Sequence, residues 1–124
     1  MVRLQVQRPT GVGFRSVILS PTKELAAQIH SDFKRLCKGT KLKAALLKKA
    51  NAIAVSSTSN HKYDILVATP LRLVKMIQEK TIDVSNVIRI VFDEADKLFD
   101  PTFIEQIGEC VRACARFRIV EIRR

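Results

Sequence analysis

Three carboxylates, Asp93, Glu94 and Asp96, crowd against the end of the apolar run "VIRIVF" (87–92), in a chain whose formal net charge is +10. A short apolar run bounded by polar residues reads as a buried strand, so these acids stand at its carboxyl end. In an open parallel sheet, ligands bind outside the carboxyl ends of the strands. An aspartate there can hold Mg²⁺, usually through water, beside nucleotide phosphates. The adjacent glutamate can orient or deprotonate an attacking water. Bound metal and phosphate would alter the local charge balance, so neighbouring acids need not simply repel. The bland alternative is an acidic cap on the next helix, stabilised by its dipole, and the spacing alone leaves both readings open.

Two further junctions carry residues suited to phosphate. Pro21, Thr22 and Lys23 follow the apolar run "SVILS" (16–20), and Thr69, Pro70 and Arg72 close or follow "DILVAT" (64–69). Each places a hydroxyl, a proline and a cation where a strand gives way to a helix. Unpaired N–H groups and the helix dipole attract phosphate there. Thr22 with Lys23, and Thr69 with Arg72, are therefore candidates to grip a nucleic-acid backbone, which gives affinity and register without reading bases. For the two cations the alternative is an ordinary solvated helix face. Glu24 is expected to brace its junction rather than touch the ligand, because a carboxylate repels phosphate.

The elements that must position these residues alternate along the chain. "SVILS", "LKAALL" (42–47), "DILVAT", "VIRIVF" and "FRIVEI" (117–122) read as strands. Leu25, Ile29, Phe33 and Leu36 fall at helical spacing, with Gly39 as the stop. Leu73, Val74 and Ile77 form a second helical face behind Pro70, which suits a first helical position. Phe103, Ile104, Ile107, Val111 and Cys114 form a third. The segment "NAIAVSSTSNHK" (51–62) reads as a helix fading into a loop. Strands alternating with helices imply βαβ units, hence an α/β fold with a parallel sheet and helices on its faces.

Bulk composition agrees with a small globular domain: 124 residues, 47% hydrophobic and 27% charged. The 22 Lys and Arg against 12 acids favour a polyanionic partner, although a solvated basic surface accounts for the count equally well. Cys37, Cys110 and Cys114 cannot all pair within one chain, and no CxxC or HxxxH accompanies them, which points to buried thiols rather than a zinc site. The N-terminus has no long apolar stretch of the kind a signal peptide needs, and no apolar run approaches membrane-spanning length.

Asp93–Asp96 spells D-E-A-D, and this tetrad resembles motif II of the DEAD-box RNA helicases. "SPTKELAAQI" (20–29) resembles motif Ia of that family, usually PTRELAxQ, and "VATPLRL" (67–73) resembles motif Ib, usually TPGRL. The three occur in family order, each after a strand and before a helix, and the resemblance runs from about residue 13 to residue 114. It implies a three-layer, RecA-like P-loop NTPase fold, incomplete at both ends: a divergent segment over 1–15, a partial helicase domain over 16–116 and a divergent tail over 117–124. It implies ATP as substrate with Mg²⁺, Asp93 positioning the metal, Glu94 catalysing attack by water, and Asp96 coupling motif II to a Ser-Ala-Thr motif. It implies single-stranded or pre-ribosomal RNA on Pro21, Thr22, Lys23, Thr69, Pro70 and Arg72, with Glu24 in support. "DEADKLFD" and "GFRSVILSPTKELAAQI" resemble the branch that acts in small-subunit ribosomal RNA processing, which implies a nucleolar monomer, ribosome-assembly partners and no membrane.

The pattern departs from the family at several points. Lys23 stands for the usual Arg, keeping the charge without the bidentate fork. Leu71 stands for the usual Gly, where a side chain is expected to crowd the backbone's approach to RNA. None of Gly11, Gly13, Gly39 and Gly108 opens a G-x-x-x-x-G-K-[S/T] phosphate loop. The adenine-reading Q motif, the Ser-Ala-Thr motif and the second RecA-like domain have no counterpart in the sequence. One side of the sheet is accordingly expected to be thinly covered. The alternative function is a non-catalytic half-domain that binds RNA or a protein.

Overall fold

The computed structural model describes residues 13–48, 63–114 and 119–123. The segment 51–62 expected to fade from helix to loop lies outside them. Five strands, β1 (Ser16–Leu19), β2 (Ala44–Leu46), β3 (Ile65–Ala68), β4 (Arg89–Asp93) and β5 (Ile119–Arg123), form one sheet in the order β2-β3-β1-β4-β5. Every adjacent pair is parallel. The helices are α1 (Lys23–Cys37), α2 (Pro70–Gln78), the short α3 (Ala95–Leu98) and α4 (Pro101–Ala113). Each of the five runs expected as strands overlaps one, with β4 and β5 ending one residue beyond theirs.

Central strand β1 explains why these runs are continuously apolar. Val17, Ile18 and Leu19 are each 1% exposed, because helices cover both faces of a parallel sheet. Val17 and Leu19 join Leu66, Ala68, Ile90 and Phe92 in a core that receives α2, α3 and α4. Ile18 faces the other way, with Val67 and Val91, onto Ala26, Ile29, Phe33 and Cys37 of α1. Among the described helices, α1 alone packs on that second face.

Local chemistry sets the helix limits. Thr22 is extended and its Oγ1 accepts a hydrogen bond from the Leu25 N–H at 3.1 Å, capping α1. That helix ends at Cys37, and Gly39 takes φ +85°, a conformation that suits glycine. Asp100 caps α4 by accepting from the Thr102 N–H at 2.9 Å, with Pro101 in the first turn. Buried Asp64 accepts the Lys43 N–H at 3.0 Å, tying together the starts of β2 and β3.

Two helical faces differ from their expected composition. Leu36 is 55% exposed, and α1 instead buries Ala26 and Cys37 beside Ile29 and Phe33. Ile104 of α4 is 48% exposed, whereas Cys110 is buried and its thiol approaches the Pro70 carbonyl oxygen at 3.8 Å. Both exposed residues lie at the margin of an apolar stripe, and docking on the sheet selects the stripe's centre.

Candidate functional site

Because all strands run the same way, their carboxyl ends share one edge of the sheet. The register aligns Leu19 with Ala68 on one side and with Phe92 on the other. The residues after these three positions begin the β1–α1, β3–α2 and β4–α3 junctions, where the candidate residues were found. Pairing thus brings together groups some 70 positions apart in sequence, such as Thr22 and Asp93.

The first two junctions border a cavity of about 530 Å³. Lys23 and Glu24 of α1, Leu47 and Lys48 after β2, and Thr69 and Arg72 at the start of α2 line it. Pro21 and Pro70 are buried beneath the two junctions and Lys23 is exposed at the rim. The hydroxyls of Thr22 and Thr69 differ in use. Thr22 accepts the Leu25 N–H, which leaves its O–H hydrogen to donate outward. Thr69 occupies the same cap position on α2, yet its side chain makes no cap hydrogen bond. The N–H groups of the first turn of α2 therefore lack a side-chain acceptor from their own cap, the condition under which a helix start takes an anion. Leu71 is 64% exposed, so its side chain projects outward from the junction rather than into the protein.

At the third junction the acids separate into three environments. Asp93 ends β4, 6% exposed, and its Oδ1 lies 3.5 Å from Nε of Arg123 on β5. Burial pushes its carboxyl above the ordinary aspartate range; the Arg123 guanidinium opposes this and the neighbouring Glu94 adds to it. Glu94 sits in the left-handed region at φ 54°, ψ 56° and its Oε1 is 3.3 Å from Nζ of Lys97. It makes no side-chain cap bond to α3, so the acidic-cap alternative finds no hydrogen bond to rest on. A non-glycine residue held there costs of order 1 kcal/mol, and such outliers gather at functional sites. Asp96 is exposed, with no hydrogen bond or ion pair to another described residue.

Asp93 is the only one of the three acids buried at the sheet edge, and it already attracts one cation. No group of three or more His, Cys, Asp or Glu among the described residues could hold a metal ion. The donor set therefore fits a Mg²⁺ ion that brings most of its oxygen ligands with it, as water and phosphate, and takes one carboxylate from the protein. The thiols do not contribute: burial raises those of Cys110 and Cys114 to about 12, which keeps them protonated and inert.

Two residues at this edge were not anticipated from sequence. Lys48 directly follows "LKAALL" (42–47), so the rule that ligands meet strand ends points to it, but that end lacks the hydroxyl and proline that mark the other two junctions. Arg123 shows no local signal; only the pairing of Asp93 with Arg123 across β4 and β5 places it.

A family model described as DEAD/DEAH box helicase matches residues 2–122. An ATP-dependent RNA helicase ROK1 from Meyerozyma guilliermondii is 43% identical over 104 residues, covering 82% of this chain and 19% of the relative. A probable ATP-dependent RNA helicase ddx52 from Dictyostelium discoideum is 48% identical over 108 residues, covering 86% of the chain and 16% of the relative. The chain thus spans about a fifth of the length of these curated relatives. Among solved structures, a DEAD box protein from the hyperthermophile Methanococcus jannaschii matches with a TM-score of 0.77 at 30% identity, over 90% of this chain and 31% of that one. Mss116p bound to ssRNA and AMP-PNP matches with a TM-score of 0.74 at 21% identity, over 89% of this chain and 25% of that one, a likeness of fold alone.

Proposed function

The chain belongs to the DEAD/DEAH box helicase family, and we propose that it forms part of the first RecA-like domain of an ATP-dependent RNA helicase acting in ribosomal RNA processing. The observation that carries this reading is the convergence of Lys23, Thr69 and Arg72 on one cleft, at the same sheet edge as Asp93 and Glu94. The cleft takes the sugar–phosphate backbone of single-stranded RNA, with Pro21 and Pro70 shaping the junctions, Thr22 donating its hydroxyl hydrogen and Glu24 bracing α1. Residues 16–116 hold this core. The resemblance of "DEADKLFD" and "GFRSVILSPTKELAAQI" to the small-subunit ribosomal RNA processing branch supports work on pre-ribosomal RNA in the nucleolus, as a monomer among ribosome-assembly proteins.

On this reading, Asp93 would hold Mg²⁺ beside the phosphates of ATP, where the ion would neutralise charge on the transferred group. Glu94, next along the chain, accepts a proton from the attacking water. Asp96 awaits a partner in the helicase's Ser-Ala-Thr motif. In a two-domain helicase carrying these residues, Glu94→Gln should abolish RNA-stimulated hydrolysis while leaving nucleotide binding largely intact. Full hydrolysis by that variant would remove Glu94 from the mechanism.

The RNA grip is tested on this chain directly. Binding of labelled oligouridylate is measured against salt for the parent and for a Lys23→Ala, Arg72→Ala double variant. Each phosphate contact on a single strand contributes about 0.7 to the slope of log affinity against log salt, so losing two should flatten it by about 1.4. An unchanged slope would show that these residues are not the grip.

A second reading is an RNA-binding half-domain without turnover. It is favoured by the Arg123–Asp93 pair, which occupies the carboxylate assigned to the metal. An ATPase assay of this chain beside one extended at its N-terminus separates the two.

A further inference from the structure

We propose that Arg123, at the end of β5, is a phosphate ligand: it binds the polyphosphate of the nucleotide whose metal ion Asp93 would hold. The inference rests on the reading of the third junction as a Mg²⁺–ATP site and deepens it, by giving a ligand to a residue outside all three junctions.

Arg123 closes β5 in register with Asp93, the last residue of β4. Their ion pair is loose. Nε of Arg123 lies 3.5 Å from Oδ1 of Asp93, and neither side chain makes a hydrogen bond to a described residue. On the same two strands, the Arg89 guanidinium does hydrogen-bond the Glu121 carboxylate. The geometry of β4 and β5 thus permits a closed pair, and the one at the carboxyl edge stays open. An arginine carries five N–H donors, and a buried carboxylate that accepts no hydrogen bond is costly. Asp93 is such a carboxylate. The two groups await a ligand that offers a cation to one and oxygen acceptors to the other. A metal ion alone meets repulsion from Arg123, and a phosphate alone meets repulsion from Asp93 and Glu94. A metal–polyphosphate satisfies both, which selects a nucleoside triphosphate with its divalent ion.

The outward charge at this edge suits an anion. Lys97 faces Glu94 at 3.3 Å, and in both pairs the cation is more exposed than its acid. An approaching phosphate therefore meets Lys97 and Arg123 first, with the acids behind them. Arginine adds a planar fork that can take two phosphate oxygens at once. The bland alternative is that Arg123 staples the last strand to the sheet. The β4–β5 ladder and the Arg89–Glu121 pair already join those strands, and an ion pair as exposed as this one adds little.

The test measures labelled ATP by equilibrium dialysis against the whole chain, in Mg²⁺ and in EDTA. The parent is compared with Arg123→Gln, Arg123→Lys and Asp93→Asn, each checked for a native circular dichroism spectrum. Arg123→Gln should weaken Mg²⁺-dependent ATP binding by about ten-fold. Arg123→Lys, which keeps the charge without the fork, should recover part of that loss. Binding of Mn²⁺ without ATP should not weaken in Arg123→Gln, because there the guanidinium only opposes the metal. Equal ATP affinity in Arg123→Gln and the parent would overturn the assignment; if Asp93→Asn abolishes the Mg²⁺ dependence in the same series, the metal reading stands without it. A parent chain that shows no Mg²⁺-dependent ATP binding overturns both. A loss in Arg123→Gln that extends equally to Mn²⁺ alone would mark Arg123 as a staple and also overturn the proposal.

Discussion

Thr22 and Thr69 occupy equivalent cap positions before two helices, and their hydroxyls differ in what they hold. Thr22 accepts the Leu25 N–H, so Thr22→Ala should cost about 1 kcal/mol of stability in urea denaturation. Thr69 makes no cap bond; Thr69→Ala should stay within about 0.5 kcal/mol of the parent while weakening oligouridylate binding. Equal stability losses in the two variants would contradict the hydrogen-bond assignment. His30 supplies a second test at this scale. Its Nε2 donates to the Ala44 carbonyl at 3.2 Å. Burial lowers its pKa below 6.5, Lys34 and Lys48 add to the effect, and the Ala44 bond opposes it. A depressed folded pKa means that the unfolded chain takes up the proton first as pH falls below 6.5. His30 therefore contributes stability that is complete above that value and is lost through the window beneath it. Denaturation midpoints measured across that window should fall with pH, and His30→Gln should flatten the dependence.

At the scale of elements, α3 is four residues long and cannot hold itself. Leu98, fully buried, anchors it to the core, and through it the turn that carries Glu94. Leu98→Ala should cost about 2–5 kcal/mol, visible in chemical denaturation. Ile104→Ala on the exposed margin of α4 should cost under about 1 kcal/mol; the reverse order would mean that α4, not α3, anchors this region. These helices also show how far pattern reading reaches. Periodicity found Ile29, Phe33, Leu73, Val74 and Ile107 inside because each lies centrally on its stripe. It misplaced Leu36 and Ile104, at the stripe margins; Cys110, read as a buried thiol from its chemistry rather than its spacing, is buried where α4 crosses Pro70. Helix starts were legible because proline and hydroxyl chemistry is local.

The whole sheet adds a constraint that no element contains. β5 closes one edge and brings Arg123 to Asp93, so a guanidinium competes for the carboxylate that the proposed mechanism gives to a metal ion. Arg123 is 40% exposed, and a solvent-screened pair of this kind is worth up to about 1 kcal/mol. Arg123→Gln should therefore tighten Mn²⁺ binding, followed by electron paramagnetic resonance, by up to about five-fold, and Asp93→Asn in the same background should remove the gain. No change in either variant would separate Asp93 from cation binding. Arg89 and Glu121 form a second ion pair across the same two strands, so the edge keeps its pairing while Arg123 is altered.

Local sequence encodes the parts: five apolar runs that become strands, the junctions that follow them, and the residue types placed there. Burial of an apolar run and capping of a helix depend on neighbours within a few positions, so composition and spacing encode them. The order β2-β3-β1-β4-β5 was decided only by the tertiary structure. Pairing Ser16 with both Ile65 and Arg89 joins residues far apart in the chain, and hydrophobic runs of similar length and composition carry no local mark of which neighbour each will take. That order alone sets Lys48 beside Lys23 and Arg72, and Arg123 beside Asp93, because charges meet across a sheet edge through strand pairing rather than through sequence spacing.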